Sequence, residues 1–255
     1  MTIIDIARKA ALVGGEILLE HAGKITGIST KQNNSLVTDI DKRCEDEITR
    51  IIRSAFPGHG IVAEESGISG GDGEYRWIID PLDGTHNYIR GLKLYGNCIA
   101  VMKGSEFIAG VVYLPQEKLL FSAEKGSGCY RNDEKVSVSK RGELSRCTLS
   151  YDSGISSEPE KKAGLLQKLA PEFFNIRMFG ASSILLARLA EGVIDVAIEF
   201  DDELWDYAAG VTLVQEAGGI FTSQTGERIT DTTRGYVASN GTVHETVLEL
   251  LRGYA

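Results

Sequence analysis

The stretch Asp80-Pro81-Leu82-Asp83-Gly84-Thr85, set directly after the apolar run Trp77-Ile78-Ile79, constrains this chain more than any other. The run reads as the end of a buried strand, and Pro81, with no amide to donate, is expected to stop the ladder there. Asp80 and Asp83 straddle the main-chain carbonyl of Leu82, so one tight turn offers three oxygen donors, the ligand type that Mg²⁺ prefers. Gly84 lets the backbone approach a ligand, and Thr85-His86-Asn87-Tyr88-Ile89 can open a helix whose free amides face an anion. Asp-Pro and Asp-Gly are also ordinary turn pairs, and alone the stretch reads first as a plain turn. What shifts the reading is that carboxylates elsewhere lie in settings that can converge on it.

At 255 residues, 42% of them hydrophobic, the chain can fill one large domain or two tightly packed halves. No window approaches the roughly 18 consecutive apolar residues of a membrane span. The opening Met1-Thr2-Ile3-Ile4-Asp5 lacks a basic-then-apolar signal pattern, so a cytoplasmic protein without a membrane partner is expected. A formal net charge of −9 without a dense Lys/Arg run argues against nucleic acid and suits a cation site. Cys44, Cys98, Cys129 and Cys147 form no C-x-x-C pair and read as buried, reduced thiols. His21, His59, His86 and His244 are equally scattered, which gives little support to a zinc hydrolase or a Ser-His-Asp enzyme.

Helical periodicity covers residues 2–22, and a second helix carries Cys44, Ile48, Ile51, Ile52 and Phe56 up to Pro57-Gly58. Between them, the polar segment 31–35 reads as a loop whose one cation is Lys31. Asp39 and Asp41 flank Ile40 at the start of the second helix. The helix dipole explains one of them, and Asp41 is the candidate to aim inward. Ile61-Val62-Ala63 is a short strand that ends in Glu64-Glu65, of which one side chain can face the same point as Asp80. Residues 67–73 read as an exposed glycine-rich loop. From Tyr95 to Ala123 three apolar strands with short links predict an antiparallel meander, which Gly126 to Asn132 continues.

Past Cys147 come a strand at 148–151, a helix at 158–170 and a strand at 175–178. The corner Gly180-Ala181-Ser182-Ser183 then opens a helix, and a strand at 193–199 delivers Glu199 at its end. Leu204-Trp205-Asp206 begins an apolar helix that stops at Gly218-Gly219, with Asp206 in its first turn among apolar neighbours that suggest burial. A buried carboxylate needs a partner, and a cation is one. A strand at 235–239 and a helix at 243–251 close the chain.

Four motifs taken together, Leu36-Val37-Thr38-Asp39-Ile40-Asp41, Glu64-Glu65-Ser66, residues 77–88 and Trp205-Asp206-Tyr207-Ala208-Ala209-Gly210, resemble the inositol monophosphatase family nearly end to end and in order. That family sits within the lithium-sensitive, Mg²⁺-dependent phosphatases that include fructose-1,6-bisphosphatases. The resemblance implies an α/β (α+β) fold, a layered αβαβα sandwich. Residues 1–145 would form an N-terminal half with an antiparallel sheet and the catalytic loops, and residues 146–255 a C-terminal α/β half, with the site between them. It implies two or three Mg²⁺ ions, a first held by Glu64, Asp80 and the Leu82 carbonyl, a second by Asp80, Asp83 and Asp206, and a third near Glu64. Asp41 and Thr85 resemble the pair that polarises the attacking water, with Glu64 beside them. Gly84 and Thr85 would supply amides that hold the phosphate, Asp83 would be a substrate contact as well as a metal ligand, and Glu199 and the corner Gly180, Ala181 and Ser182 would face the rest of the substrate. Lys31 approximates the family's mobile-loop lysine with one residue less to Asp41. A homodimer is expected.

The activity so implied is hydrolysis of inositol monophosphate, a small-molecule phosphate ester, by direct attack of metal-activated water. Fructose 1,6-bisphosphate, alone or beside inositol phosphate, is the alternative, with Arg177 the candidate to meet a second phosphate. A different class is a catalytically silent metal- or sugar-phosphate-binding regulator on the same fold.

Overall fold

A computed structural model describes residues 1–24, 27–30, 36–71 and 73–254, and the side chains of all these except residues 28 and 30. Two helices lead the chain, α1 (Ile3–His21) and α2 (Asp39–Ala55), with the short antiparallel strands β1 (Ile28–Thr30) and β2 (Leu36–Thr38) between them. Each helix starts on a threonine in a reciprocal capping box, Thr2 with Asp5 and Thr38 with Asp41, so two otherwise orphaned amides are satisfied at each start.

The first sheet has eight strands: β3 (Gly60–Ala63), β4 (Gly67–Gly70), β5 (Tyr75–Asp83), β6 (Gly96–Lys103), β7 (Glu106–Leu114), β8 (Leu119–Glu124), β9 (Gly128–Arg131) and β10 (Glu134–Val136). Its order is β10-β9-β8-β7-β6-β5-β3-β4, antiparallel throughout except for the β3–β5 pair. The expected meander is β6 to β8. The glycine-rich stretch expected to be a loop instead supplies β4 as an edge strand, because β3 offers it a ladder from Gly60↔Gly70 to Ala63↔Gly67. Backbone pairing asks nothing of glycine's missing side chain.

The short helix α3 (Thr85–Ile89) follows β5. The second sheet runs β12-β11-β13-β15-β14, built from β11 (Thr148–Tyr151), β12 (Asn175–Arg177), β13 (Val196–Glu199), β14 (Ile220–Ser223) and β15 (Tyr236–Ser239). The helices around it are α4 (Pro159–Leu169), α5 (Ser182–Ala190), α6 (Leu204–Glu216) and α7 (His244–Leu251). β12, β11 and β13 are parallel, and β15 runs antiparallel to both its neighbours.

Period-two alternation sorts the apolar side chains into three cores and thereby five layers. Trp77, Ile79, Ile99 and Val101 face α1 and α2 from one side of the first sheet. From its other side Ile78, Cys98, Ala100 and Val112 pack with α5, α6 and the inner side chains Ala197, Phe221, Tyr236 and Ala238 of the second sheet. Leu149, Val196, Ile198 and Val237 on the outer side of that sheet cover Leu165 and Leu169 of α4 and Val247 and Leu251 of α7. The sequence α, β, α, β, α is the layered sandwich. The middle helix layer is tight. A Cβ on Gly110 of β7 would lie 2.2 Å from the Ala209 carbonyl oxygen of α6, and one on Gly210 would lie 2.1 Å from Leu186 Cδ1 of α5.

Backbone cannot step aside as a side-chain tip can, so Gly110→Ala is expected to destabilise the fold by about 1–3 kcal/mol or more. Urea unfolding checks this: the midpoint falls while the slope stays unchanged, and a variant as stable as the parent refutes the close approach.

Candidate active site

The middle layer and the end of β5 meet at one place. β5 pairs with β6 through Asp80↔Cys98, shifts register, and resumes at Asp83↔Gly96. Contrary to expectation the strand does not stop at Pro81. The proline lies in the irregular step, where a missing amide costs no ladder bond, and pairing continues past it. The Asp80 carboxylate accepts the Leu82 N–H at 2.9 Å, which shapes the step. Gly84 follows in the left-handed region at φ 85°, where a Cβ would lie 2.9 Å from the Leu94 oxygen and 3.0 Å from Ala181 Cβ. Conformation and close approach both select glycine there.

Onto this step the structure brings Asp206 from the start of α6. Carboxylate oxygens of Asp80, Asp83 and Asp206 lie within 4.8 Å of one another. Asp206 is half-buried rather than enclosed, and its Oδ2 accepts the Glu203 N–H at 2.7 Å, which caps α6. Asp83 reaches the opposite way to accept the Ser183 N–H of α5 at 2.6 Å. Glu64, after β3, is within hydrogen-bond reach of Asp80. On the other flank Thr85 donates its hydroxyl to the Leu82 oxygen at 2.9 Å and lies 3.3 Å from Asp41 Oδ1. Asp41 is fully buried. It serves both purposes weighed for it, since its Oδ2 caps α2 by accepting the Thr38 N–H at 2.9 Å while Oδ1 faces Thr85.

Gathered carboxylates repel. At 4.8 Å each ionised pair costs about 3–4 kcal/mol at an effective dielectric of about 20. Burial first, then the charges of Glu64, Asp83 and Asp206, pushes the Asp80 carboxyl well above its usual range. Burial and the neighbouring Asp202 and Asp83 do the same to Asp206. Burial also raises Asp83, against the opposing hydrogen bonds from Ser183, Ser182 and Gly84. A hard, all-oxygen donor set that resists ionisation on its own is the chemistry that a divalent cation satisfies. The cluster therefore fits a metal ion.

Beside the cluster opens a cleft of about 250 Å³ lined by Asp83, Gly180, Ala181, Ser182, Glu199 and Asp206, with Asp152, Ser153, Gly154 and Asp202. Gly180, Ala181, Ser182 and Glu199 thus line one cleft with Asp83 and Asp206. Arg177 does not: it ends the edge strand β12, is exposed, and folds its guanidinium back onto Asn175 and the Ile176 oxygen rather than lining the cleft. Lys31 lies outside the described residues.

Several residues here escaped the sequence reading. Glu45 is buried, and its two oxygens accept the Glu65 and Ser66 amides at 2.8 Å each, so it fixes the turn that carries Glu64. Its signal was a carboxylate four residues after Asp41, on the face of α2 that buries Cys44 and Ile48. Asn87 donates to the Leu94 and Phe179 oxygens at 2.8 Å and thereby ties α3 to the 180 corner. Asp202 accepts the Ser182 hydroxyl at 2.7 Å, and burial pushes its carboxyl up to about 7.

These features coincide with a family match. Residues 1–254 match the model of the inositol monophosphatase family. The fructose-1,6-bisphosphatase/inositol-1-monophosphatase of Aquifex aeolicus is 34% identical, over 98% of this chain and 96% of its own. A putative Nus factor SuhB of Neisseria meningitidis is also 34% identical, over 98% of each. The crystal structure of the extragenic suppressor protein suhB from Bartonella henselae superposes with a TM-score of 0.95 at 31% identity, covering 98% of both chains. The chain belongs to the inositol monophosphatase family, a family of phosphatases.

A carboxyl whose pKa is higher folded than unfolded holds more protons in the folded state across the interval between the two values, so stability falls as pH rises through that interval. For Asp80, Asp83 and Asp206 the interval begins at about pH 4. The chelated protein is therefore expected to lose thermal stability from about pH 4 upward on account of these groups. Mg²⁺ should raise Tm by several degrees more at about pH 8 than at about pH 5.5, because protons compete for the same oxygens. Asp206→Asn should raise the Tm of the chelated protein and shrink the Mg²⁺ gain. Calorimetry that shows a pH-independent gain, or none, contradicts this.

Proposed function

We propose that this chain is a Mg²⁺-dependent phosphomonoesterase that hydrolyses inositol monophosphate. The observation that carries the reading is the convergence of Asp80, Asp83 and Asp206 beside a cleft also lined by the carboxylates of Asp152, Glu199 and Asp202. Glu64, Asp80, Asp83, Asp206 and the Leu82 carbonyl are the groups that would hold Mg²⁺. The bound ions would supply charge stabilisation for the phosphate and a lowered pKa for the attacking water.

The chain's own residues have separate tasks in this mechanism. Asp41 Oδ2 is occupied by the Thr38 amide and, at 2.5 Å, its hydroxyl, which leaves Oδ1 to take the Thr85 hydroxyl proton, turned from the Leu82 oxygen, as Thr85 Oγ1 accepts one from the attacking water. Burial raises the Asp41 carboxyl, against hydrogen bonds from Thr38 and Thr85, which makes it a better proton acceptor than an ordinary aspartate. Gly84 and Thr85, at the left-handed step into α3, are the residues whose main-chain amides would meet the phosphate, the Gly84 amide being shared with Asp83. Glu199, Ser182 and the Gly180-Ala181 corner orient the alcohol that leaves.

Fructose 1,6-bisphosphate is a second reading, favoured by the name of the Aquifex aeolicus relative. The carboxylate-lined cleft and the outward position of Arg177 oppose it. The reading extends to a cytoplasmic homodimer. All four cysteines are free thiols, no helix among the described residues is long and apolar enough to cross a membrane, and exposed Phe174 and Met178 flank β12 where a second copy can cover them.

Phosphate release with Mg²⁺ and with chelator tests the reading. Inositol 1-phosphate should be hydrolysed faster than fructose 1,6-bisphosphate, and chelator should abolish both rates. Asp80→Asn should keep its fold by circular dichroism while losing more than the roughly 10–100-fold typical of removing a mere supporting group. A near-normal rate in Asp80→Asn, or full activity in chelator, refutes the assignment. Retained Mg²⁺ binding without release from any ester would indicate the silent regulator.

A further inference from the structure

One wall of the cleft is made by two strand ends. After β11 the chain passes through Asp152, Ser153 and Gly154, and after the end of β13 at Glu199 it passes through Asp201 and Asp202. One buried side chain joins the two stretches. Lys162 of α4 is 0% exposed, and its ammonium lies 2.7 Å from Asp152 Oδ2, 2.7 Å from the Ser157 hydroxyl, 2.8 Å from Asp201 Oδ2 and 3.0 Å from the Gly154 oxygen. Its stem position is a core position, since Lys162, Leu165 and Leu169 share the buried face of α4. The ammonium also sits 5.2 Å from the centre of the Phe200 ring.

Stability is a poor explanation for a lysine there. Burying an ammonium is costly, and an apolar side chain of similar volume commonly replaces a buried ion pair without loss. What an apolar residue cannot do is hold two polar loops at a fixed separation. The loops so held carry Asp152 and Asp202, which with Glu199 give the wall its acceptor oxygens, and no lysine or arginine is among the described residues that line the cleft. Such a wall receives hydroxyl groups and repels a second phosphate.

We propose that Lys162 is a positioning residue for substrate selection. By locking the loops after β11 and β13 together, it fixes Asp152, Glu199 and Asp202 to accept hydrogen bonds from the hydroxyls of a polyol monophosphate. The inference rests on the phosphatase reading above and deepens it. It separates recognition of the leaving group from the chemistry at Asp80, so the two can be perturbed independently.

Steady-state kinetics on two esters test it: inositol 1-phosphate, and p-nitrophenyl phosphate, whose leaving group bears no hydroxyls to recognise. In Lys162→Met the KM for inositol 1-phosphate should rise about tenfold or more, the scale of losing one or two aligned hydrogen bonds, with little change in kcat. The KM for p-nitrophenyl phosphate should move by less than about twofold. Asp201→Asn, whose side chain is 58% exposed, should fold normally and show the same selective rise at about threefold. That variant decides the matter if Lys162→Met is not folded. Equal effects on both esters, or no effect on either, in the folded variants would overturn the proposal while leaving the phosphatase reading intact. A wild-type protein that releases phosphate from neither ester would instead overturn the phosphatase reading and this inference together.

Discussion

Mutual repulsion among Asp80, Asp83 and Asp206 is the constraint on which the rest of the structure depends. Two of these carboxylates come from the end of β5 and the third from α6, so the cluster lies where the eight-stranded sheet meets the middle helix layer. A fold that brings three like charges within 4.8 Å must offset that cost, first with hydrogen bonds and then with a cation. Leu82 donates to Asp80, Glu203 to Asp206, and Ser183, Ser182 and Gly84 to Asp83, so each carboxylate has at least one main-chain amide. What these amides leave unsatisfied is oxygen-donor capacity that a divalent cation fits.

The same economy governs the helix starts. Asp41 and Asp206 each occupy the third position of a helix, where an acid is favoured by the dipole and completes a capping box. Asp41 spends Oδ2 on its own helix and turns Oδ1 towards Thr85, and Asp206 spends Oδ2 on its own helix. Capping thus fixes the rotamer in which each of the two carboxylates is presented. Glu45 repeats the logic at one remove, since it satisfies two amides of the turn that carries Glu64.

Much of this was legible because local rules and global fold agree. The unbroken apolar run Trp77-Ile78-Ile79 marked a buried strand, and the spacing of Asp80, Asp83 and Thr85 marked the turn at its end. Pro81 misled: its missing amide predicts the end of pairing, and the strand instead absorbs it in an irregular step. β4 and β14 were invisible because edge strands are specified by their neighbours. Gly67–Gly70 has no side-chain pattern, and Ile220–Ser223 follows its helix too closely to register as a separate run. Lys162 and Asp202 were missed for another reason. A lysine ten residues from Asp152 on a surface-looking helix, and one acid among four at 199–203, acquire meaning only once β11 and β13 are known to lie side by side. Arg177, chosen for its proximity in sequence to the 180 corner, ends an edge strand and turns away.

The claim that the carboxylate step is a divalent-cation site is tested most directly by diffraction from crystals soaked in Mn²⁺, an oxygen-seeking stand-in for Mg²⁺ with a usable anomalous signal. The account predicts an anomalous peak bounded by Asp80, Asp83 and Asp206, absent in crystals of Asp80→Asn. Peaks at other acidic surfaces with none at this step would contradict it.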